Sequence, residues 1–375
     1  MSRAEQSPSI WDDGVYGMFF EGREVMIHNP VRYIDSSSKI IILGPFKDDK
    51  VGLFLEKYGF RAHATCAVED NETAVKNAVR PYVGDSNAVF LLTRDAWWKK
   101  YRHIFEECGV ACQLLSMMKI FFIQMRPRLR EVYDMLDDNE SREVFTTVLN
   151  VRFRLQETVA LYPYCQGNPY FILPQMRCPT GKEVFVDCGA FVGDTIENFL
   201  KYYCVDGFGK AYAFEPAPKQ YRALVKRTKR LVEEWALDEK QIVCIPAGVG
   251  NHTMKAKLVN DDKFGHFNLA GIRLEESETP LTEEDAVDVY ALDDILAQED
   301  VSFIKADIEG FEMDMLRGAE RIIRTRKPLM AICIYHKLTD YYEIPLYLKK
   351  LVPEYKMKVR HHSTSYGDTV LYCYL

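Results

Sequence analysis

The chain has 375 residues, of which 47% are hydrophobic, and this length is enough for two domains with separate cores. Its net charge of −7 at pH 7 disfavours a surface that coats nucleic acid, so no nucleic-acid partner is expected. The ten cysteines form no C-x-x-C pair, and neither an uncharged membrane-length stretch nor an apolar signal core is present, so we expect a cytoplasmic protein without membrane association.

The first third of the chain alternates strand-like and helix-like segments. The predicted strands cover 40–43, 61–67 and 87–92, and the predicted helices cover 51–58, 74–79 and 95–108. Such alternation predicts a parallel sheet, so residues 1–120 are expected to form a small Rossmann-like α/β domain. The turn after its first strand reads GPFKDDKVG and lacks the G-x-G-x-x-G that holds a pyrophosphate. We interpret this domain as a scaffold or interface module, with a degenerate nucleotide or sugar-nucleotide site as the alternative.

The residue pattern changes over 121–180 and predicts a helical and aromatic bridge between the two α/β domains. Charged residues interleave with the helical period over 129–136 and 141–158, and tyrosines and prolines follow over 162–174. The tyrosines of such a segment can form a lid over a ligand cleft. Packing between domains is the alternative role.

The third domain, 181–375, begins with a βαβ unit. Its predicted elements are a strand at 184–186, a helix at 196–203 and a strand at 211–214. Gly189 and Gly193 remove side chains where the backbone must turn sharply and a ligand can come close. Glu215 ends the second strand and can accept hydrogen bonds from a ribose diol. An ordinary βα turn without a ligand is the alternative.

Two cofactors are compatible with this unit. A dinucleotide needs G-x-G-x-x-G, whereas this turn has Ala190 at the second glycine position and an acid, Asp187, before it. S-adenosylmethionine has no pyrophosphate and carries a sulfonium cation and a ribose, so two acids at strand ends suit it better. The residues predicted to bind this cofactor are Asp187, Gly189, Ala190, Gly193, Thr195, Glu215 and, after the third strand, Gly248.

The rest of the domain continues the alternation. Further strands are predicted at 241–246, 301–304 and 329–335, and extra β segments at 254–259, 269–274 and 287–291. Helices are predicted at 218–235 and 313–323, a further helix closes over 346–351, and a closing hairpin follows at 355–360 and 369–375. The fold class is therefore α/β, with a mostly parallel sheet and a C-terminal antiparallel hairpin. An acidic loop is predicted at 275–285.

Ionisable residues follow several predicted strands, and parallel strands deliver their carboxyl ends to one sheet edge. His336 and Asp307 are the candidate general bases, with His361-His362 as the alternative. Asp307 and Glu309 alternate along the chain, so only one of them is expected to face the ligand. We expect no metal site, because no zinc-like spacing occurs. A divalent cation on Asp307 and Glu309 is the less favoured possibility.

Several motifs in order resemble the FkbM-type S-adenosylmethionine-dependent methyltransferases over about 181–375. They are DCGAFVGDT, AFEP, IPAGVG, KADIEGFEMDMLRGAE and the final hairpin segment. The family's D-x-G-A-x-x-G-x-[ST], E-P and D-[VI]-E-G are met by Asp187 to Thr195, Glu215-Pro216 and Asp307 to Gly310. The resemblance implies a Rossmann-like class I methyltransferase fold that O-methylates a hydroxyl of a sugar, glycan or natural product. The upstream domain resembles the small Rossmann-like module that precedes this domain in some bacterial members.

Two other functions stay open at this stage. One is an NAD-dependent oxidoreductase that uses the same βαβ unit, and the other is a non-catalytic binding or assembly protein that keeps the fold. The expected partner is a small-molecule or glycan acceptor. No motif identifies this acceptor, and none indicates an oligomeric state.

Overall fold

A computed structural model describes residues 11, 25–27, 32–34, 38–45, 49–57, 61–114, 117–153, 157–176, 180–204, 207–260, 272–275 and 286–375. The chain forms two compact units: the first comprises 1–127 with 149–156, and the second comprises 128–148 with 157–375. The residues of the predicted bridge, 121–180, are divided between these units. Within the described residues, no helix is both long enough and apolar enough to cross a membrane.

The first unit contains a four-stranded parallel sheet in the order β4-β3-β5-β6. Its strands, with a small antiparallel pair before them, are β1 (Val25–Ile27), β2 (Arg32–Ile34), β3 (Lys39–Gly44), β4 (Ala62–Ala67), β5 (Ala88–Leu92) and β6 (Ala111–Leu114). Its helices are α1 (Asp49–Lys57), α2 (Glu72–Val79) and α3 (Asp95–Glu107), and two further helices, α4 (Met117–Met135) and α5 (Asn139–Arg152), supply residues to both units. Strand β5 is buried along its whole length, as expected of a central parallel strand.

The second unit is built on a seven-stranded sheet in the order β16-β17-β15-β14-β7-β8-β9. These strands are β7 (Val184–Cys188), β8 (Lys210–Phe214), β9 (Ile242–Ile245), β14 (Phe303–Ala306), β15 (Leu329–Cys333), β16 (Lys356–His361) and β17 (Thr369–Tyr374). The five neighbouring strands β15, β14, β7, β8 and β9 pair in parallel. Strand β17 runs antiparallel to β15 and β16. The predicted parallel sheet with a closing antiparallel hairpin is therefore confirmed.

A second, four-stranded sheet lies in the same unit and has the order β10-β13-β11-β12. Its strands are β10 (Ala247–Val249), β11 (Met254–Asn260), β12 (Ile272–Glu275) and β13 (Ala286–Tyr290). Strand β10 follows β9 after one residue, so this sheet continues the chain directly from the carboxyl end of β9. Most of the predicted acidic loop, 276–285, lies outside the described residues.

The helices of the second unit follow the predicted pattern with two exceptions, a short helix at 292–295 that was not predicted and the region 313–323. They are α6 (Asp194–Asn198), extended by a π-helical turn (Phe199–Tyr203), α7 (Pro218–Glu234), α8 (Leu292–Ile295), α9 (Glu312–Arg317), α10 (Glu320–Arg326) and α11 (Asp340–Leu351). The single helix predicted over 313–323 is wrong, because the chain breaks between α9 and α10 at Gly318. A Cβ at Gly318 would overlap the carbonyl oxygen of Gly250, so a close backbone approach decides where the helix ends.

Aromatic rings form the centre of the core beneath the main sheet. Phe185 of β7 stacks on Phe199 at a centroid distance of 4.4 Å, and Phe303 of β14 packs edge-on against Phe185 at 5.2 Å. Phe171 contacts all three rings from the segment before β7. Such pairs contribute about 0.5–1.5 kcal/mol each beyond simple burial. They fix β7 and β14 beside each other, and the polar residues that follow these two strands are thereby brought together.

Candidate active site

A cavity of about 310 Å³ lies at the carboxyl ends of β7, β8 and β14 in the second unit. This position is where open α/β sheets bind ligands, and the volume lies within the range of small-molecule sites. Four of the residues predicted to bind the cofactor line it: Gly189, Thr195, Glu215 and Gly248. The other three, Asp187, Ala190 and Gly193, are buried and shape the wall from behind.

The glycine turn after β7 depends on two left-handed backbone conformations. Gly189 has a φ of +78° and Gly193 has a φ of +84°. The amides of Gly189 and Ala190 both donate to the carbonyl of Phe214, which ties the turn to the end of β8. A Cβ at Gly189 would overlap the carbonyl oxygen of Asp307. The turn therefore packs directly on the backbone that follows β14.

Replacing Gly189 by alanine is expected to lower the free energy of unfolding by about 2–5 kcal/mol, because the left-handed backbone and the overlap with Asp307 both cost energy. Gly52→Ala is the matched control, since Gly52 lies in α1 with open space around it. Alanine there is expected to be neutral or to stabilise by up to about 1 kcal/mol. Urea unfolding followed by circular dichroism measures both variants, and equal losses would contradict this account of the turn.

Glu215 braces the rim of the cavity with its carboxylate. One oxygen accepts the amide hydrogen of Phe191 at 2.9 Å, and the other accepts that of Ala217 at 2.8 Å. Burial raises the pKa of Glu215 to about 7, although these two amides oppose the shift. Each oxygen keeps a second lone-pair direction, so the carboxylate can also accept hydrogen bonds from a ligand.

Beneath the turn, Asp187 forms a buried ion pair that the sequence did not reveal. Lys305 Nζ lies 2.9 Å from Asp187 Oδ1, and both side chains are almost fully buried. The same ammonium donates to the carbonyl of Gly189 at 2.7 Å. Burial alone lowers the pKa of Lys305, but the carboxylates of Asp187 and Asp307 raise it above its usual value. Lys305 reaches the cavity, so Asp187 acts on the site through Lys305 rather than by facing it.

Asp307 follows β14 directly and lies at the centre of a hydrogen-bonded group. Its two carboxylate oxygens accept from the hydroxyls of Tyr170 at 3.0 Å and Tyr335 at 3.1 Å. Burial would raise the pKa of Asp307, but Lys305 and His336 lower it below its usual value. Asp307 is therefore a carboxylate at neutral pH, and it lines the cavity.

His336 lies behind this carboxylate rather than on the cavity wall. Its Nε2 lies 3.5 Å from Asp307 Oδ1 and 3.6 Å from Glu309 Oε2, and its Nδ1 lies 2.8 Å from Glu312 Oε1. Burial lowers the pKa of His336, but the three carboxylates outweigh it and raise the pKa to about 9. The two predicted bases are thus in contact, and of the two only Asp307 is among the residues that line the cavity.

The expectation that only one of Asp307 and Glu309 would face the ligand stays a prediction. Both residues are among those that line the cavity. The backbone of Glu309 is left-handed, with a φ of +55°, so the strand alternation that the expectation assumed has already ended. Burial raises the pKa of Glu309 to about 7.

Two further cavity residues, Tyr170 and Phe191, also have left-handed backbones, with φ values of 76° and 47°. Non-glycine residues in this region are strained, and such strain concentrates at functional sites. Tyr170 belongs to the predicted bridge. Its ring lies against Lys305, with Nζ 5.2 Å from the ring centroid.

The histidine pair at the end of β16 is held by hydrogen bonds. His361 is fully buried, and its Nδ1 lies 3.0 Å from Thr369 Oγ1. His362 lines the cavity, but its two ring nitrogens contact the carbonyl of Gln166 and the hydroxyl of Tyr372, each at 2.8 Å. Burial lowers the pKa of His362 to about 4. Both nitrogens of His362 are therefore occupied before any ligand arrives.

The turn after β3 in the first unit is only partly described, since residues 46–48 lie outside the described part of the chain. The interpretation of this unit as a scaffold or interface module stays a prediction.

Comparison with known proteins finds a family match within the second unit. Residues 187–355 match the family model of the methyltransferase FkbM domain. The crystal structure of methyltransferase FkbM from Methylobacillus flagellatus KT is similar at 21% identity and a TM-score of 0.56, and the similarity covers 90% of each chain. An rRNA methylase from Streptococcus thermophilus has a TM-score of 0.29 at 13% identity, over 52% of this chain and 86% of that one. No curated protein matches the chain.

Residues 187–355 therefore match an FkbM methyltransferase domain, which confirms the predicted methyltransferase, and the structural similarity confirms the Rossmann-like fold. The family match spans the glycine turn, Glu215 and the segment from Asp307 to Gly310.

Proposed function

We propose that the second unit binds S-adenosylmethionine in the cavity and transfers its methyl group to a hydroxyl of a sugar, glycan or natural product. The charge of the cavity carries this proposal. Five carboxyl groups line it, from Asp194, Glu215, Asp307, Glu309 and Asp368, against the single ammonium of Lys305. Such a wall attracts a sulfonium cation and repels the pyrophosphate of a dinucleotide.

The cofactor half of the proposed site is the glycine turn with the ends of β8 and β10. The carboxylate of Glu215 suits a ribose diol, because it keeps lone pairs free beside its two backbone donors. Gly248 and Ala247 present little side-chain bulk on the same wall and leave room for a flat base. When bound, the sulfonium supplies an already activated methyl group, so the protein mainly has to position the two reactants.

The acceptor half of the proposed site is the group around Asp307. A hydroxyl loses its proton when it is methylated, and a carboxylate within hydrogen-bond reach can accept that proton. Asp307 lines the cavity, whereas His336 contacts Asp307 from behind. We therefore assign the proton acceptor to Asp307 and give His336 the role of holding Asp307 in place and ionised. The tyrosine hydroxyls of Tyr170 and Tyr335 fix the orientation of the same carboxylate.

Isothermal titration of the full chain with S-adenosylmethionine and S-adenosylhomocysteine tests the cofactor assignment. Binding is expected for the native chain, and Glu215→Gln is expected to weaken it at least about tenfold. The carboxamide has only one acceptor oxygen, whereas the two backbone amides and the ribose diol all donate to the two oxygens of the carboxylate. Glu299→Gln is the matched control, since Glu299 contacts Lys210 and Tyr212 away from the cavity. Binding of NADH in place of the sulfonium compounds would favour the oxidoreductase, and binding of none of them would favour a non-catalytic protein.

The same titration repeated between pH 6 and pH 8 tests the ionisation of Glu215. Ribose hydroxyls bind the carboxylate form, so the cofactor lowers the pKa of Glu215 from its value of about 7 in the free chain. Affinity is therefore expected to rise with pH through about 7 and to level off above it. Glu215→Gln should remove this dependence, and a native chain with a flat profile would exclude Glu215 from the ribose site.

A further inference from the structure

The group behind Asp307 has the arrangement of a metal site. Asp307, Glu312 and His336 each offer a ligand atom, and these atoms lie within 4.8 Å of one another. His336 is the central member: its side chain is only 9% exposed. Among the described residues, both of its ring nitrogens are buried, and neither has a hydrogen-bond partner. A buried ring nitrogen that makes no hydrogen bond is costly unless something else binds it.

The two carboxylates that face Nε2 stand at distances suited to a shared ion. Nε2 is 3.5 Å from Asp307 Oδ1 and 3.6 Å from Glu309 Oε2. These distances are longer than a good hydrogen bond. Ligands at about 2.1 Å from a tetrahedral ion are separated by roughly 3.4 Å from each other, which agrees with both separations. Each carboxylate therefore stands from Nε2 at the separation expected of two ligands of one ion, and the Glu309 side chain would have to move toward Asp307 to complete the site.

The other ring nitrogen has the neighbour that metal-binding histidines usually have. Nδ1 lies 2.8 Å from Oε1 of Glu312, a side chain with no exposed surface. Glu312 is itself fixed, because the same oxygen accepts the amide hydrogen of Ile308 at 2.8 Å. A carboxylate that accepts the Nδ1 hydrogen leaves Nε2 as the metal-binding atom and increases its basicity. The four side chains thus form a histidine ligand, two carboxylate ligands and an orienting carboxylate.

We propose that Asp307, Glu309 and His336 bind one divalent transition-metal ion and that Glu312 positions His336 for it. The imidazole ligand suits Zn²⁺ and the two carboxylates also suit Mn²⁺, whereas Mg²⁺ and Ca²⁺ prefer oxygen ligands alone. Asp307 and Glu309 line the cavity, so the ion is reached from there and keeps room for an oxygen ligand from solvent or from an acceptor. The ion would take Oδ1 of Asp307 as a ligand, leave Oδ2 to accept the proton of an acceptor hydroxyl, and acidify that hydroxyl. The inference concerns ion binding and does not depend on the proposed acceptor.

Metal binding is measured on the full chain after removal of metal with a chelator. Mn²⁺ is titrated by calorimetry and by electron paramagnetic resonance, and Zn²⁺ and Mg²⁺ are titrated by calorimetry. One Mn²⁺ or Zn²⁺ per chain is expected, with Mg²⁺ weaker. The ion should also raise the melting temperature of the native chain, since it binds only the folded state. His336→Gln is expected to abolish binding, and Glu312→Gln to weaken it about 10–100-fold.

Glu320→Gln is the matched control, because Glu320 is a half-exposed acid of the same unit that contacts Arg324 and Tyr347. It should bind like the native chain. If His336→Gln does not fold, Glu309→Gln is used as the test variant, and it is expected to weaken binding of the ion. The Glu309 side chain is one-third exposed, so this substitution should disturb the fold little. No Mn²⁺ or Zn²⁺ binding at millimolar concentration, or equal binding by all variants, would overturn the proposal. Cofactor titration is a separate measurement, so failure here leaves the proposed function untouched.

Discussion

Replacing Asp307 by asparagine is expected to lower the rate of methyl transfer about 10²–10⁴-fold, the usual contribution of a general base. The asparagine keeps the shape of the side chain and can still accept from one tyrosine, but it cannot take a proton. The affinity for S-adenosylmethionine is expected to change only a few-fold, because the proposed cofactor site consists of Glu215 and the glycine turn and does not include Asp307. Single-turnover assays with a labelled methyl donor measure the rate, and calorimetry measures the affinity.

Asp300→Asn is the control for this prediction, because Asp300 is 83% exposed and pairs with Arg326. Its turnover should equal that of the native chain. If Asp307→Asn keeps its turnover while His336→Ala loses it, the proton acceptor is His336 and the assignment is reversed. If Asp307→Asn loses cofactor binding in parallel with turnover, Asp307 serves the donor rather than the acceptor.

Replacing Lys305 by methionine is expected to lower the free energy of unfolding by about 3–5 kcal/mol, because it leaves a buried Asp187 carboxylate without its partner. The double variant Asp187→Asn with Lys305→Met should regain part of this loss, since it removes the unpaired charge as well. Urea unfolding followed by circular dichroism measures the free energy of unfolding of the native chain and of both variants.

Lys210→Met provides the comparison, since Lys210 pairs with Glu299 at 3.3 Å with both side chains about one-third exposed. Removal of such a pair is expected to cost about 0–1 kcal/mol. The difference between the two lysines tests whether burial decides the contribution of an ion pair in this sheet. Losses of similar size from Lys305 and Lys210 would show that Asp187 is not held as a charge.

The agreement between sequence and structure is greatest where the signal is local. The apolar runs of β7, β8 and β14 predict strands because a buried parallel strand needs an unbroken hydrophobic segment. Gly189 predicts a tight turn because only glycine adopts its backbone conformation without strain. The ordered motifs then identify the methyltransferase domain. The acids at the strand ends could be placed at one edge from topology alone, because parallel strands end on the same side.

The errors arise where a neighbour distant in sequence decides the outcome. Lys305 is paired with Asp187 by strand register, since the two residues are directly opposite each other on β14 and β7. The residues adjacent to Lys305 and Asp187 in the sequence do not indicate this pairing. Tyr170 reaches Asp307 across 137 residues. The break between the two helices at Gly318 depends on its close approach to Gly250, and helical periodicity in the sequence cannot reveal that contact.

By itself, the sequence determined the α/β class, the glycine turn, the strand-end acids and the methyltransferase domain, because periodicity, turn chemistry and motif order are properties of short segments. The tertiary structure decided which of those acids face the cavity. Asp187 is turned to Lys305, Glu309 is brought in by a left-handed backbone, and His336 is placed behind Asp307 against Glu312. The physical reason is that pairing, burial and backbone strain depend on what packs beside a residue, and only the folded chain brings those neighbours together.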